Sequence, residues 1–258
     1  MKSSRKHLPM LVLFITRSCL EGMKISVCIA TFNGGKFIQE QVMSVLPQLG
    51  KTDEIVISDD GSTDDTIAIL HSFHDSRICI YHHEGKHGFV WNFENALKKA
   101  TGDVIFLCDQ DDIWKPNKVE VVVNALQDHD MVLHDAEIVD KDGVKTGKLY
   151  SEGLHHGKGF WSNMWKTRWL GCCMAFRRNV LEYALPFPSH IVGHDGWISA
   201  VGLAKFDYYY IPDVLMCYRR HGENASTASE VSHHSWYYML IKKRLYLLIE
   251  ICRRLITR

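Results

Sequence analysis

Three aspartates lie within the four-residue run from Asp109 to Asp112, directly after the apolar stretch 104–108. Such a stretch predicts a buried strand, and open α/β sheets bind their ligands at the carboxyl ends of strands. Carboxylates this close repel one another, so the run favours a bound cation. Asp109 and Asp111 could share Mn²⁺ or Mg²⁺, hard cations that take oxygen ligands and accept substrate phosphates. The run therefore predicts a metal–phosphate site, with a solvated acidic turn as the alternative.

Composition limits the class of protein. The chain has 258 residues, and 30 Lys and Arg balance 30 Asp and Glu. This length suits one large α/β domain, and the charge balance gives no bulk attraction for nucleic acid, so no such partner is expected. The eight cysteines form no C-x-x-C pair, and Cys28 and Cys108 lie in apolar runs. They indicate core positions in a reducing compartment, and hence a cytoplasmic protein.

Strand-like and helix-like stretches alternate through the first half. Apolar runs predict buried strands at residues 25–30, 54–58, 78–81 and 104–108. Helical patterns separate them, one running from about Asp64 to Phe73 and another ending near Ala100, and a further helix is expected to start at 114–116. This order predicts a doubly wound, mostly parallel sheet with right-handed crossovers.

The pattern changes after about residue 130. Further strands are predicted at residues 131–134, 172–176, 208–211 and 214–218, and a helix from about Asp195. Residues 141–159 are polar and rich in glycine, which predicts a loop.

The two ends of the chain differ from the middle. Basic residues precede a short apolar run at 8–15, which is shorter than the roughly 20 residues of a membrane span. Residues 1–22 are therefore expected to be an upstream extension or a short apolar leader. Residues 236–258 predict a basic amphipathic helix, which suits an anionic membrane surface. Packing of its apolar stripe onto the domain is an equal alternative.

Polar residues follow three of the predicted strands, at 31–33, 59–64 and 109–112. A ligand lying across that edge of the sheet would meet all three groups. Asp60 could accept a hydrogen bond from a nucleobase N–H. Capping of the next helix would by itself explain Ser62, Thr63 and Asp64, so those three receive no catalytic role.

Three blocks in this order, 25–33, 57–64 and 109–114, resemble the family 2 glycosyltransferases with the GT-A fold. The resemblance extends from Met23 to about Asn224. The stretch 88–100 and the Asp-Gln-Asp-Asp-Ile-Trp string are most similar to bacterial rhamnosyltransferases and related O-antigen or capsule enzymes. The resemblance implies a Rossmann-like GT-A domain at 23–225, with a nucleotide-sugar half at 23–130, a smaller acceptor half at 131–225, and a helical tail at 226–258.

The resemblance also implies roles for individual residues. Asp60 would face the nucleobase, and Asp111 would bind the cation, Mn²⁺ or Mg²⁺, that bridges the diphosphate. The cation would act as a Lewis acid on the leaving nucleoside diphosphate. The residues expected to bind the nucleotide sugar are Thr31, Asn33, Asp60, Asn92, Asp109 and Arg219. The residues expected to bind the metal are Asp109, Asp111 and His221.

Asp195 lies where the family carries its catalytic aspartate, so it is the predicted base that deprotonates the acceptor hydroxyl, with inversion at the anomeric carbon. The family more often has glutamate before this aspartate, and here His194 stands in that place. A helix N-cap is the alternative role for Asp195. Trp161, Trp165 and Trp169 are candidates for an acceptor platform, although aromatic residues at helical spacing are more often core.

These residues predict an inverting, metal-dependent glycosyltransferase of cell-surface polysaccharide synthesis. It would move a sugar from a nucleoside-diphosphate sugar to a glycan or lipid-linked glycan, at the inner face of the plasma membrane. The first choice of donor, dTDP-rhamnose, rests on resemblance alone. One alternative is a Mg²⁺-dependent phosphotransfer enzyme, which would need a nucleophilic aspartate with a lysine or threonine partner at strand ends, and no lysine ends a predicted strand. The other is a non-catalytic nucleotide-sugar-binding protein of the same fold.

Overall fold

The computed structural model describes residues 22–152, 159–165, 169–191, 193–221 and 236–258. The strands are β1 (Ile25–Thr31), β2 (Glu54–Asp59), β3 (Ile78–His82), β4 (Val104–Cys108), β5 (Ile113–Trp114), β6 (Met131–Val139), β7 (Lys145–Leu149), β8 (Met174–Arg177) and β9 (Tyr208–Arg219). The helices are α1 (Ile38–Val45), α2 (Thr66–Ser72), α3 (Phe89–Lys99), α4 (Lys118–Ala125), α5 (Gly159–Trp165), α6 (Asn179–Ala184), α7 (His194–Lys205) and α8 (Trp236–Thr257).

Within these residues the strands form one mixed sheet, in the order β3-β2-β1-β4-β8-β6-β9-β5, with β7 paired to β6. The first four strands are parallel, as β1 pairs with both β2 and β4, and β2 pairs with β3. Every residue of β2 and β4 is buried, because helices cover both faces of the sheet. This arrangement places the carboxyl ends of β1, β2 and β4 side by side and confirms the predicted α/β fold class.

The second half contains the differences from the sequence prediction. The two strands expected at 208–211 and 214–218 are one strand, β9, which runs parallel to β6. Pro212 and Asp213 fall where the register shifts between His134 and Asp135, so the proline occupies a bulge instead of ending the strand. The predicted loop at 141–159 was wrong over β7, a hairpin strand whose residues are mostly exposed. Its solvated surface leaves no apolar alternation for the sequence to reveal.

The start of α4 also differs from the expectation. Ile113 and Trp114 form the short strand β5 against β9, and the helix begins only at Lys118. Trp114 is 3% exposed, so burial in the sheet outweighs helix formation there. The described tryptophans do not share one environment, since Trp169 is buried against Tyr208 whereas Trp161 is 74% exposed.

The predicted C-terminal helix is present as α8, and its Ile251 is buried in the core. None of the helices in the described ranges has both the length and the hydropathy of a membrane span. The predicted leader lies outside the described residues except for Gly22, and so do 222–235, including the Gly222–Asn224 part of the block that follows β9.

Candidate functional site

Gln110 joins the loops that follow β1 and β4. Its Nε2 donates to the Phe32 carbonyl at 3.2 Å, and its Oε1 accepts from the Phe32 N–H at 3.0 Å. Gly34 makes this contact possible, because a Cβ there would lie 2.3 Å from Gln110 Oε1. Gln110, the uncharged residue of the run 109–112, therefore fixes the ends of β1 and β4 relative to each other.

A second set of hydrogen bonds joins the loop after β1 to the loop after β2. Asn33 adopts a left-handed backbone with φ of 48°, and its Oδ1 accepts from the Thr63 N–H at 2.8 Å. Ser62 Oγ accepts from the Asn33 N–H at 2.9 Å and donates to Asp59. Asp64 accepts from the Thr66 N–H at 3.0 Å, but Asp65 occupies the N-cap position of α2 and makes no side-chain capping hydrogen bond. Ser62 and Thr63 instead bond to Asn33, so the expected capping by these two residues was wrong. Sugar-nucleotide binding by Asn33 stays a prediction.

Three of the residues predicted to bind the nucleotide sugar, Thr31, Asp60 and Asn92, lie together near the carboxyl ends of β1 and β2. Asn92 Nδ2 donates to the Thr31 carbonyl at 3.0 Å. Asp60 accepts from the Gly88 N–H at 2.8 Å and hydrogen bonds to His87 Nδ1 at 2.9 Å. Each Asp60 oxygen keeps capacity for a further donor. His87 was not predicted, since one histidine among 15 carries no distinguishing signal.

Two of the predicted metal ligands are in direct contact. His221 Nε2 lies 2.7 Å from Asp111 Oδ2, although the residues are 110 positions apart in sequence. The imidazole stacks on the Phe37 ring, with centroids 4.9 Å apart. A carboxylate oxygen and an imidazole nitrogen at this separation can both turn toward one divalent cation.

Arg219 fixes the backbone that carries Asp111. Its guanidinium is buried, and Nε donates to the Asp111 carbonyl at 2.8 Å, Nη1 to the Lys141 carbonyl at 3.0 Å, and Nη2 to Glu40 at 2.6 Å. These bonds occupy the group expected to hold diphosphate oxygens, so that role stays a prediction for Arg219, and the exposed Arg220 beside it is the other candidate. Glu40 was missed because nothing in α1 marks a partner 179 residues away.

A second acidic group lies behind the first. Ligand atoms of Asp109, Asp112 and Cys172 fall within 4.8 Å of one another. Asp112 Oδ1 accepts from the Arg219 N–H at 3.1 Å, but its buried Oδ2 has no hydrogen-bond partner among the described residues. An unpaired buried carboxylate oxygen fits a nearby cation. Cys172 was not predicted as a ligand, because the cysteines were expected to be core residues.

Burial, with the nearby carboxylates of Asp111 and Asp195, raises the pKa of Asp109 to about 7. A cation must therefore displace a proton from Asp109 below that pH. We expect Mn²⁺ affinity to rise as the pH increases through about 7 and to level off above it. In the metal-free protein the free energy of unfolding should fall as the pH rises from the ordinary pKa of an aspartate to about 7, and stay low above it. The reason is that the unfolded chain ionises Asp109 at a lower pH than the folded chain does.

Calorimetric Mn²⁺ titrations and melting temperatures with and without Mn²⁺, taken across this pH range, measure both trends. A metal affinity that is flat across neutral pH would contradict the prediction.

Asp195 lies in the first turn of α7, one residue inside the helix, while Gly193 occupies the N-cap position. Its Oδ1 accepts from the Gly196 N–H at 2.6 Å. The Asp195 carboxylate contributes to the raised pKa of Asp109 by charge repulsion. The alternative role as N-cap is wrong, although the carboxylate still lies favourably near the positive end of the helix dipole.

His194 is enclosed by aromatic rings. It stacks on Phe93 with centroids 3.9 Å apart and meets the edge of Phe89 at 6.0 Å. Burial lowers the pKa of His194, although Asp195 opposes the shift. The residue that replaces the usual glutamate is therefore a neutral packing group that positions the start of α7.

Gly171 supports this packing, because a Cβ at that position would lie 2.7 Å from His194 Nε2. We expect Gly171→Ala to displace His194, and with it Asp195, and to lower the rate of the predicted transfer by about 10- to 100-fold, since small misplacements of reacting groups have effects of this size. The free energy of unfolding should fall by about 1–3 kcal/mol, as overpacking predicts.

Steady-state rates and denaturant unfolding of Gly171→Ala test this, with Gly147→Ala as the control. Gly147 has open space around it but a φ of 75°, so that variant reports backbone strain alone. A Gly171→Ala protein with unchanged rate would show that α7 tolerates the shift.

Comparison with known proteins identifies the family. The profile described as Glycosyl transferase family 2 matches residues 26–184, which is more than half of the chain. An uncharacterised glycosyltransferase of Nostoc sp. is 29% identical over 226 residues, covering 81% of this chain and 69% of the relative. The Escherichia coli UDP-Glc:alpha-D-GlcNAc-diphosphoundecaprenol beta-1,3-glucosyltransferase WfaP is 36% identical over 129 residues, covering 49% and 51%.

Solved structures show the same fold. Staphylococcus aureus TarS 1–349 in complex with UDP-GlcNAc aligns with a TM-score of 0.67 at 18% identity, over 88% of this chain and 66% of TarS 1–349. The mannosyltransferase PcManGT from Pyrobaculum calidifontis, in complex with GDP-Man and Mn²⁺, aligns with a TM-score of 0.56 at 18% identity, over 92% and 65%. The chain thus spans about half to two thirds of the length of these proteins. The likenesses confirm the GT-A fold, and the matched profile places the chain in glycosyl transferase family 2, an enzyme family of glycosyltransferases.

Proposed function

We propose that this chain is an inverting, metal-dependent glycosyltransferase that moves a sugar from a nucleoside-diphosphate sugar to a glycan acceptor. The observation that carries the proposal is the contact between Asp111 and His221 at the carboxyl edge of the sheet. Asp195 acts on the pKa of Asp109, the neighbouring candidate ligand. Asp111 and His221 would supply ligands for a cation, and Asp195 would supply a base.

The donor would lie across the ends of β1, β2 and β4. Asp60 accepts a hydrogen bond from the nucleobase, and Thr31 and Asn92 shape the pocket beside it. Asp109, Asp111 and His221 would hold the cation, which would supply a Lewis acid for the charge on the departing nucleoside diphosphate. Arg219 keeps the Asp111 backbone in place while the diphosphate is bound.

Asp195 takes the proton of the acceptor hydroxyl as the oxygen attacks the anomeric carbon. Attack on the face opposite the diphosphate inverts the configuration, through an oxocarbenium-like transition state. His194 keeps Asp195 in position by its packing between Phe89 and Phe93.

Two donors are proposed for direct comparison. The motif resemblance favours dTDP-rhamnose, whereas WfaP and its E. coli counterpart WfgD are named as UDP-glucose enzymes acting on a diphosphoundecaprenol-linked sugar. These names also support a lipid-linked acceptor in surface-glycan synthesis, with the enzyme working at the inner face of the plasma membrane. Family membership gives no support to the phosphotransfer alternative.

The test is a panel of nucleotide sugars with Mn²⁺ or Mg²⁺, in which release of nucleoside diphosphate is measured with and without EDTA. Release from one donor that EDTA abolishes is expected. Turnover that EDTA does not reduce would contradict the proposed dependence on a metal ion. Donor binding without turnover, with a lipid-linked acceptor present, would favour the non-catalytic alternative.

A further inference from the structure

Helix α8 has an inner face that fixes its orientation on the domain. Ile251 is 2% exposed, and Leu247 and Leu248 pack against the core beside it. Arg254 Nη1 donates to the Leu185 carbonyl at 2.6 Å. These contacts determine which side of the helix is turned outward.

The outward side carries large apolar side chains. Leu245 and Ile249 are each 56% exposed, Ile256 is 83% exposed, and Cys252 is exposed between them. At 100° per residue these four positions fall within an arc of about 60°, along about 16 Å of helix. We call these four residues the outer stripe. An exposed apolar stripe on a well-packed helix marks an interaction surface.

The charges beside the outer stripe are positive. On the helical wheel, Lys242 and Arg253 lie along one edge of the outer stripe, within about 40° of Ile249. The Arg253 side chain is 72% exposed. Glu250 is the acidic residue of the described part of α8, and its side chain is only 16% exposed, 3.9 Å from Arg253. The outer face is therefore apolar and cationic.

We infer that the outer stripe of α8 docks on the surface of an anionic lipid bilayer, with α8 lying parallel to the membrane plane. Apolar side chains would enter the boundary between headgroups and acyl chains, while Lys242 and Arg253 meet anionic headgroups. A second copy of the chain fits less well, because two such faces would bring cations together without an exposed carboxylate among the described residues of α8 to pair them. The inference deepens the proposed function, since it supplies the surface on which a lipid-linked acceptor would be met.

Co-sedimentation of the full chain with vesicles tests the inference. Binding to vesicles rich in phosphatidylglycerol is expected, with little binding to phosphatidylcholine alone and release at high salt. The double variant Ile249→Glu/Ile256→Glu should lower the bound fraction at least about tenfold, since binding scales with buried apolar area. Val144→Glu is the matched control, because Val144 is 62% exposed at a distant hairpin.

Equal sedimentation of the double variant and the unchanged chain would overturn the inference, as would equal binding to both lipid compositions. A concentration-dependent dimer in light scattering that the double variant abolishes would assign the stripe to a second copy and overturn it as well. Donor hydrolysis in solution separates this inference from the proposed function. It should be the same in the double variant, whereas failure of the proposed function would abolish hydrolysis in both proteins.

Discussion

Asp195→Asn is expected to lower the rate of sugar transfer by about 10²–10⁴-fold, the range that a positioned general base contributes. The amide keeps the size of the side chain and can still accept the Gly196 N–H, so the start of α7 should be unchanged. It cannot take the proton of the acceptor hydroxyl. Steady-state transfer rates, measured with saturating donor and acceptor, determine the effect.

The control for this variant is Asp128→Asn, an exposed aspartate at the end of α4. Asp195→Asn should still bind the nucleoside diphosphate and Mn²⁺, because Asp195 is not among the proposed metal ligands. Its Mn²⁺ affinity should rise at a lower pH than in the unchanged chain, since the Asp195 carboxylate contributes to the raised pKa of Asp109. Near-normal transfer by Asp195→Asn would require another base and would overturn the role proposed for Asp195.

The first half of the fold was predictable for a simple physical reason. Parallel strands buried on both faces are apolar over most of their length, so β1, β2 and β4 are visible as nearly continuous runs. The end of each run then locates the polar residues at the sheet edge. This is why Asp60 and Asp111 could be proposed before their contacts were known.

The second half could be predicted less completely, because its strands have mixed surroundings. The bulge at Pro212 keeps β9 continuous through a residue that normally ends a strand, and only the partner strand β6 reveals it. Exposed β7 carries no periodic signal. Both errors arise where tertiary pairing outweighs local preference.

The supporting residues of the candidate site were also beyond the sequence. The family motifs predicted Asp111 and His221 as metal ligands. They did not predict the Glu40–Arg219 ion pair or the Phe37 ring that hold these two residues in place. Such contacts join residues from distant parts of the chain, and each residue alone has an ordinary surface or core explanation. Their identification depends on three-dimensional proximity.

Asp111→Asn is expected to lower metal-dependent donor binding and to reduce the transfer rate by about 10²–10³-fold, the loss found when one stabilising group for developing charge is removed. The amide keeps the volume but loses the charge and the pairing with His221 across 2.7 Å. Mn²⁺ titration calorimetry with nucleoside diphosphate present, together with transfer rates, measures both effects. Asp142→Asn, at an exposed turn, is the matched control.

The two aspartate variants should therefore fail in different ways, since Asp195→Asn keeps Mn²⁺-dependent nucleotide binding and Asp111→Asn loses it. Asp112→Asn and Cys172→Ser decide which acidic group holds the cation. If Asp111→Asn binds Mn²⁺ normally and these two variants do not, the cation lies among Asp109, Asp112 and Cys172, whose ligand atoms are within 4.8 Å of one another. The Cys172 thiol would then favour softer cations, so Cd²⁺ should displace Mn²⁺ from the unchanged chain. In Cys172→Ser, the affinity for Cd²⁺ relative to Mn²⁺ should fall.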